Sequence, residues 1–223
     1  MKIINRLMIT AGLLGIVSTS LSAQSKFEGA YGQLGIGYES ISPSTSTNVN
    51  AGGINVPTSV NVGNTNSFAG TATLGYTFAI TKDFLLGIGG EYSPLSGQKQ
   101  NITVSLLGQT APAGTYQKKN SYNFFVAPGL AVGTDGLAYA KLGYTGASFD
   151  TGGDTTNYTG YSLGLGYKHI ISNGFYGFGE VNYASYGNKT YSQSSLVDGV
   201  PINVAITSSA NAMNVLVGVG YKF

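Results

Sequence analysis

The sequence predicts an all-β fold, an eight-stranded antiparallel up-and-down transmembrane β-barrel. Three observations lead there. Eight segments alternate apolar residues with small or polar ones at a period of two, the signature of strands with two different faces. The connections between them alternate long and short, as in a barrel with short periplasmic turns and long external loops. The charged residues inside the segments all fall on the face opposite the apolar one. Composition agrees: 9% of the 223 residues are charged, and there are 34 Gly, 16 Tyr, no Trp and no Cys. An ordinary soluble globule averages roughly 25% charged residues.

The first strand, residues 30–40, places Leu34, Ile36 and Tyr38 opposite Gln33, Gly35, Gly37 and Glu39. After a Ser/Thr/Asn-rich loop over 43–66, the second strand, 67–80, carries Phe68, Ala72, Leu74, Tyr76, Phe78 and Ile80 on one face. A tight turn at 81–83 leads into 84–92, where Phe84, Leu86, Ile88 and Tyr92 oppose Gly87, Gly89 and Glu91. A long loop over 93–119 precedes the fourth strand, 121–132. A turn at 133–136 opens the fifth, 137–145, with Tyr139, Lys141 and Gly143 on its polar face. Residues 146–157 form the third long loop. The sixth strand, 158–169, alternates Tyr161, Leu163, Leu165 and Tyr167 with Ser162, Gly164, Gly166 and Lys168. The turn at 171–174 gives the seventh, 175–186. A fourth long loop then runs to the terminal strand, which alternates from Met213 to Phe223.

Residues 1–23 read as a secretory signal peptide: Lys2 and Arg6, an apolar run over 7–17, then small polar residues. Cleavage is expected after Ala23, although Leu21 is larger than usual two positions before it. The apolar run is too short to span a bilayer. Residues 24–223 are then one barrel domain. Membrane residence requires a closed barrel there, because only helices and barrels satisfy their backbone in lipid.

The formal net charge of +2 comes from the leader; beyond residue 23 there are nine Lys, nine Asp plus Glu, and no Arg. That excludes a nucleic-acid footprint. Six charges lie inside the strands: Glu39, Glu91, Lys141, Lys168, Glu180 and Lys222. A lipid-facing Lys at the bilayer midplane costs about 2–4 kcal/mol, so their confinement to the other face distinguishes a membrane barrel from a soluble one. The outward aromatics form two belts, one near each interface. At the external end, Asp198-Gly199 has the signature of a two-residue hairpin turn. Pairing 197 with 200 gives an odd register sum, whereas partners sharing a lipid face need an even one. A bulge between turn and membrane, or a longer loop there, must absorb the difference.

Catalytic and cofactor chemistry is poorly supplied. GIGYE and GIGGEY do not complete a phosphate loop. The single histidine, His169, lies in phase with the lipid face at the periplasmic rim, and no second His or any Cys accompanies it. No metal or cofactor is expected. The inward charges are the specific candidates, a lumen cluster of Glu39, Glu91, Lys141, Lys168 and Glu180. Lys141 and Glu180 lie at similar depth and can form a buried ion pair. Glu39 and Glu91 lie nearer the external mouth, as a weak cation-attracting ring or as hydrated rim carboxylates. Inward glycines leave room for a narrow conduit, whereas inward Tyr31, Tyr139, Tyr176 and Phe178 argue for a plug. The external loops contain alternating stretches, NITVSLL and PINVAITS, that can extend the barrel as β-protrusions or serve as polar padding.

The leader, the eight segments, recurrent Gly-Tyr pairs and the terminal YKF together resemble the small bacterial outer-membrane β-barrel superfamily: OmpX/Ail-like, OmpW-like and opacity-type proteins and the barrel domain of OmpA. The resemblance implies the outer membrane of a Gram-negative bacterium, contact with its lipid and lipopolysaccharide, and a monomer. It implies that Tyr221 and Phe223 form a terminal signal for the barrel-insertion machinery. Members serve as surface structural proteins, adhesins or narrow conduits. The expected role is therefore non-enzymatic, a structural and surface-interaction role through the external loops with a surface protein as partner. The alternative is an OmpW-like channel for small or hydrophobic solutes.

Overall fold

The computed structural model describes residues 25–223; the expected signal peptide lies outside the described residues. Eleven strands form: β1 Gly29–Ala51, β2 Ile54–Val56, β3 Thr58–Val62, β4 Thr65–Ala79, β5 Phe84–Ser93, β6 Gln100–Leu106, β7 Gln109–Val132, β8 Gly136–Thr151, β9 Asp154–Ser172, β10 Phe175–Val197 and β11 Val200–Lys222. Eight of them close a ring in the order β1-β4-β5-β7-β8-β9-β10-β11, every neighbour antiparallel, with β1 pairing back onto β11. Each predicted span lies in one of these staves. Closure leaves no open edge in the membrane.

The outward face follows the alternation of the sequence. Leu34, Leu74, Phe124, Leu165 and Val217 point out and are exposed, while Gln33, Thr73, Asn123, Lys168 and Leu216 point in and are buried. Tyr38, Phe68, Tyr122 and Tyr161 flank this apolar band at one end, and Tyr167, Phe175, Tyr221 and Phe223 at the other.

The long connections are themselves largely β. Above Ile41↔Thr65 strand β1 leaves β4, and above Tyr186↔Gly160 strand β10 leaves β9. The wall therefore splits into two protruding sheets, β3-β6-β7-β8-β9 and β2-β1-β11-β10. They touch through the Thr45 hydroxyl donating to the Val60 carbonyl and through Tyr158 Oη and Ser208 Oγ at 2.6 Å. Asp198-Gly199 joins Val197 to Val200 in a two-residue turn with φ of 49° and 79°. Lower down, the β10–β11 register slips by one between Tyr186 and Lys189, so Gly187 and Asn188 form the required bulge. A second bulge interrupts β7 between Lys118 and Asn120. It inverts the phase of the strand, so that Lys118 and Tyr116 point inward above it while Asn123 and Phe125 do so below.

The lipid face gives a direct test. Leu165→Lys, at the middle of β9, lowers unfolding free energy in lipid vesicles by about 2–4 kcal/mol. Asn211→Lys, exposed on β11 beyond the belt, changes it by less than about 0.5 kcal/mol. Urea titration read by heat-modifiable gel mobility distinguishes the two.

Candidate functional site: a lumen filled in layers

The barrel interior is packed from end to end. At the periplasmic end the segment before β1 folds back and inserts Phe27 between Leu85 and Leu137, with Ala131 and Ile170 against them. Lys26 clasps Asp135 in the β7–β8 turn at 2.6 Å, and this hydrogen bond holds the exposed Asp135 carboxyl below its ordinary range. Above Phe27 lies a layer of rings, Tyr31, Tyr139, Tyr176 and Phe178.

Each ring of this layer stands on a glycine directly across the ladder. Tyr31 faces Gly75, Tyr139 faces Gly166, Tyr176 faces Gly220 and Phe178 faces Gly218; one layer up, Phe125 faces Gly89. A Cβ at any of these glycines would collide with the ring opposite. The inward glycines therefore seat aromatic rings, which take up the room a conduit would need.

Lys168 enters the ring layer from β9. Its ammonium lies 3.8 Å from the centroid of the Tyr31 ring, 5.0 Å from that of Tyr176 and 5.3 Å from that of Tyr139. Three ring faces partly replace its hydration, as cation–π contacts do when desolvated. The next layer is ionic. Lys141 Nζ bonds Glu180 Oε1 at 2.6 Å and Glu91 Oε2 at 3.0 Å, and sits 4.7 Å from the Phe125 centroid. Tyr139 donates to Glu180 at 2.7 Å, Asn182 donates to Glu180 at 2.6 Å, and Thr73 donates to Glu91 at 3.3 Å. Every carboxylate is thus multiply bonded, the condition under which a buried ion pair is tolerated.

Glu39 is not an open carboxylate at the mouth: it is buried and ion-paired. The β7 bulge swings Lys118 into the lumen, where it grips both oxygens of Glu39 at 2.6 and 2.7 Å with both residues buried. Glu91 likewise answers Lys141 instead of facing the mouth. The pattern of alternation hid Lys118, because it lies beyond a phase reversal in what reads as loop. Lumen charges balance: Lys118, Lys141 and Lys168 against Glu39, Glu91 and Glu180. A final apolar layer of Ile41, Tyr116, Phe149 and Tyr186 closes the external end.

Small cavities remain among the described residues. One of about 20 Å³ lies among Tyr31, Leu137, Lys141 and Lys168, and one of about 30 Å³ among Glu39, Asn123, Ser162 and Asn182. Each is large enough for one or two waters. His169 is exposed on the rim, stacked on Tyr167 with centroids 6.2 Å apart. Among the described residues no group of three or more His, Cys, Asp and Glu side chains is placed to hold a metal ion. At the chain end, Phe175, Tyr221 and Phe223 stack edge-on at 4.8 and 5.2 Å, and the Phe223 amide donates to the Ala30 carbonyl at 2.9 Å.

Two variants measure what this filling contributes. Lys141→Met strands both Glu180 and Glu91 and lowers unfolding free energy by about 3–5 kcal/mol; the triple variant Glu91→Leu/Lys141→Met/Glu180→Leu loses much less. Gly166→Ala drives a methyl into the Tyr139 ring and costs about 1–3 kcal/mol. Tyr139→Leu in the same chain removes most of that cost. Equilibrium unfolding in vesicles reads all four.

The architecture is shared with solved outer-membrane proteins. OprG of Pseudomonas aeruginosa aligns over 90% of this chain and 99% of its own, at 15% identity and a TM-score of 0.57. Neisserial surface protein A aligns over 88% and 98%, at 18% identity and a TM-score of 0.48. The outer membrane protease OmpT of Escherichia coli aligns over 91% and 99%, at 9% identity and 0.49. At 15% identity the likeness to OprG is one of fold. A search of curated proteins found no match. The model of one family, described as the outer membrane protein beta-barrel domain, matches residues 9–223. With eight antiparallel strands closed on a filled lumen and an apolar band outside, this chain belongs to that family of Gram-negative outer-membrane barrels.

Proposed function

We propose that this barrel is a non-enzymatic surface protein that works through its external hairpins rather than through its lumen. One observation carries the reading: among the described residues side chains fill the interior, and the cavities between them, of about 20 and 30 Å³, are water-sized and lie in different layers. A conduit would have to displace stacked rings and buried ion pairs together. The material outside the membrane is instead built up, with six staves prolonged and three strands added into two protruding sheets. Strand β10 from Lys189 to Val197 pairs only with β11, so its other edge presents free N–H and C=O groups. An extended segment of a surface protein partner would add a strand there. The exposed aromatic stack ending on Phe223 is the surface that the insertion machinery would read during assembly.

Planar-bilayer recording of refolded residues 24–223 is the test, with heat-modifiable mobility as proof of folding. The expected result is no steady single-channel current from the wild-type barrel. Steady steps from the wild-type barrel would make transport of small solutes its function instead.

A further inference from the structure

The three turns at the crown of the protruding sheets end in aliphatic side chains. The β1–β2 turn, the β6–β7 turn and the β10–β11 turn carry Ile54, Leu106 with Leu107, and Leu196, Val197 and Val200. The β1–β2 and β10–β11 turns meet where Gly52 N–H donates to the Pro201 carbonyl at 2.9 Å, and the β6–β7 turn meets the β2–β3 link where Leu107 N–H donates to the Pro57 carbonyl at 3.3 Å. Ile54, Leu107 and Leu196 are 72%, 71% and 75% exposed, outside the belts that mark the protein's own bilayer. From Tyr183 in the upper belt to Leu196 the strand runs about 43 Å along its own axis, at roughly 3.3 Å per residue. A cluster of this kind in water marks an interaction site.

Backbone conformation at Leu107 supplies an independent sign. Three two-residue hairpin turns pair a non-glycine with a glycine, both at positive φ: Asn173-Gly174, Asp198-Gly199 and Leu107-Gly108. Asn and Asp suit the left-handed region; Leu does not, and its φ of 49° is a strained placement. The polar β8–β9 turn, Gly152-Gly153, shows that such a hairpin forms in this protein without an aliphatic tip. Leucine at 107 thus opposes the local conformation and presents an apolar group to solvent at the apex of the molecule.

Resting on the reading that the external hairpins are the working end, we propose that this crown inserts into the interfacial region of a second lipid bilayer facing the cell. The side chains are Ile, Leu and Val, with none of the Trp, Tyr or Arg that dominate protein–protein hot spots, where Leu and Val are under-represented. They project from convex turns, the shape that enters a lipid interface and not one that receives a partner segment. The only charge in the three turns is Asp198, and no Lys or Arg is there to attract an anionic lipid, so the surface it suits is a zwitterionic one.

The chain has no tryptophan, so Leu107→Trp places a single indole at the apex. The full barrel is held in amphipol and mixed with phosphatidylcholine vesicles, plain or with brominated acyl chains. The expected result is a blue-shifted emission, quenching by the brominated lipid, and flotation of the wild-type protein with plain vesicles. Ile54→Ser/Leu107→Asn/Leu196→Ser lowers the apparent partition coefficient at least tenfold, since each aliphatic group buried contributes about that factor. Leu107→Asn alone lowers partition while its Tm holds or rises, which a merely structural role for the leucine would not produce. An unquenched indole and no flotation from a barrel proved folded by its gel shift would overturn the proposal, as would flotation confined to phosphatidylglycerol vesicles. Silent bilayer recordings alongside absent flotation defeat only this inference. Steady currents alongside flotation defeat only the functional reading beneath it.

Discussion

The interior depends on a steric match repeated across the ladder: an inward aromatic on one strand, a glycine on the next. An eight-stranded ring has little internal room, and five large rings fit only because five directly opposed positions have no side chain. The same match explains an apparent contradiction in the composition. Thirty-four glycines read alone describe an empty tube, and sixteen tyrosines read alone describe a crowded one. Placed opposite one another they describe a tube filled to contact, with the rings lying over the bare backbone instead of standing upright in the lumen.

That packing sets the terms for the charges. A ring layer below and an apolar layer above leave the central ions little water, so each must find its counter-charge within the protein. Lys141 does so between two carboxylates and Lys118 with one, whereas Lys168 lies against three ring faces. The polar contents of the barrel therefore join staves that are distant in sequence, Glu39 to Lys118 and Glu91 to Lys141, across the lumen instead of along the wall.

Much of this was legible in the sequence because the membrane imposes a strict binary code. Every stave, its lipid face and the inward placement of Glu39, Glu91, Lys141, Lys168 and Glu180 follow from alternation, and arithmetic on Asp198-Gly199 required the bulge found at Gly187 and Asn188. What escaped the sequence lies where the code lapses. Lys118 sits beyond the β7 bulge, where inside and outside exchange without any change in composition. Phe27 precedes the first strand and has no period to betray it. The upper apolar layer is formed by Ile41, Tyr116, Phe149 and Tyr186, which come together only because stretches rich in Ser, Thr and Asn continue as strands once they pair with neighbours already ordered below. Propensity is weak there and tertiary context decides.

The two bulges also separate the part of the protein in lipid from the part in water. In an uninterrupted hairpin, adding or deleting one residue near the tip shifts the register and turns every membrane-spanning side chain to the wrong face. Here the odd register of the β10–β11 tip meets the even register of the barrel at Gly187 and Asn188, and β7 makes a similar adjustment at Lys119. A change of a single residue in the length of the crown can be taken up at these joints. The external hairpins are therefore free to be lengthened, shortened or replaced, by mutation or by the engineer grafting a peptide, while the barrel beneath keeps its alignment.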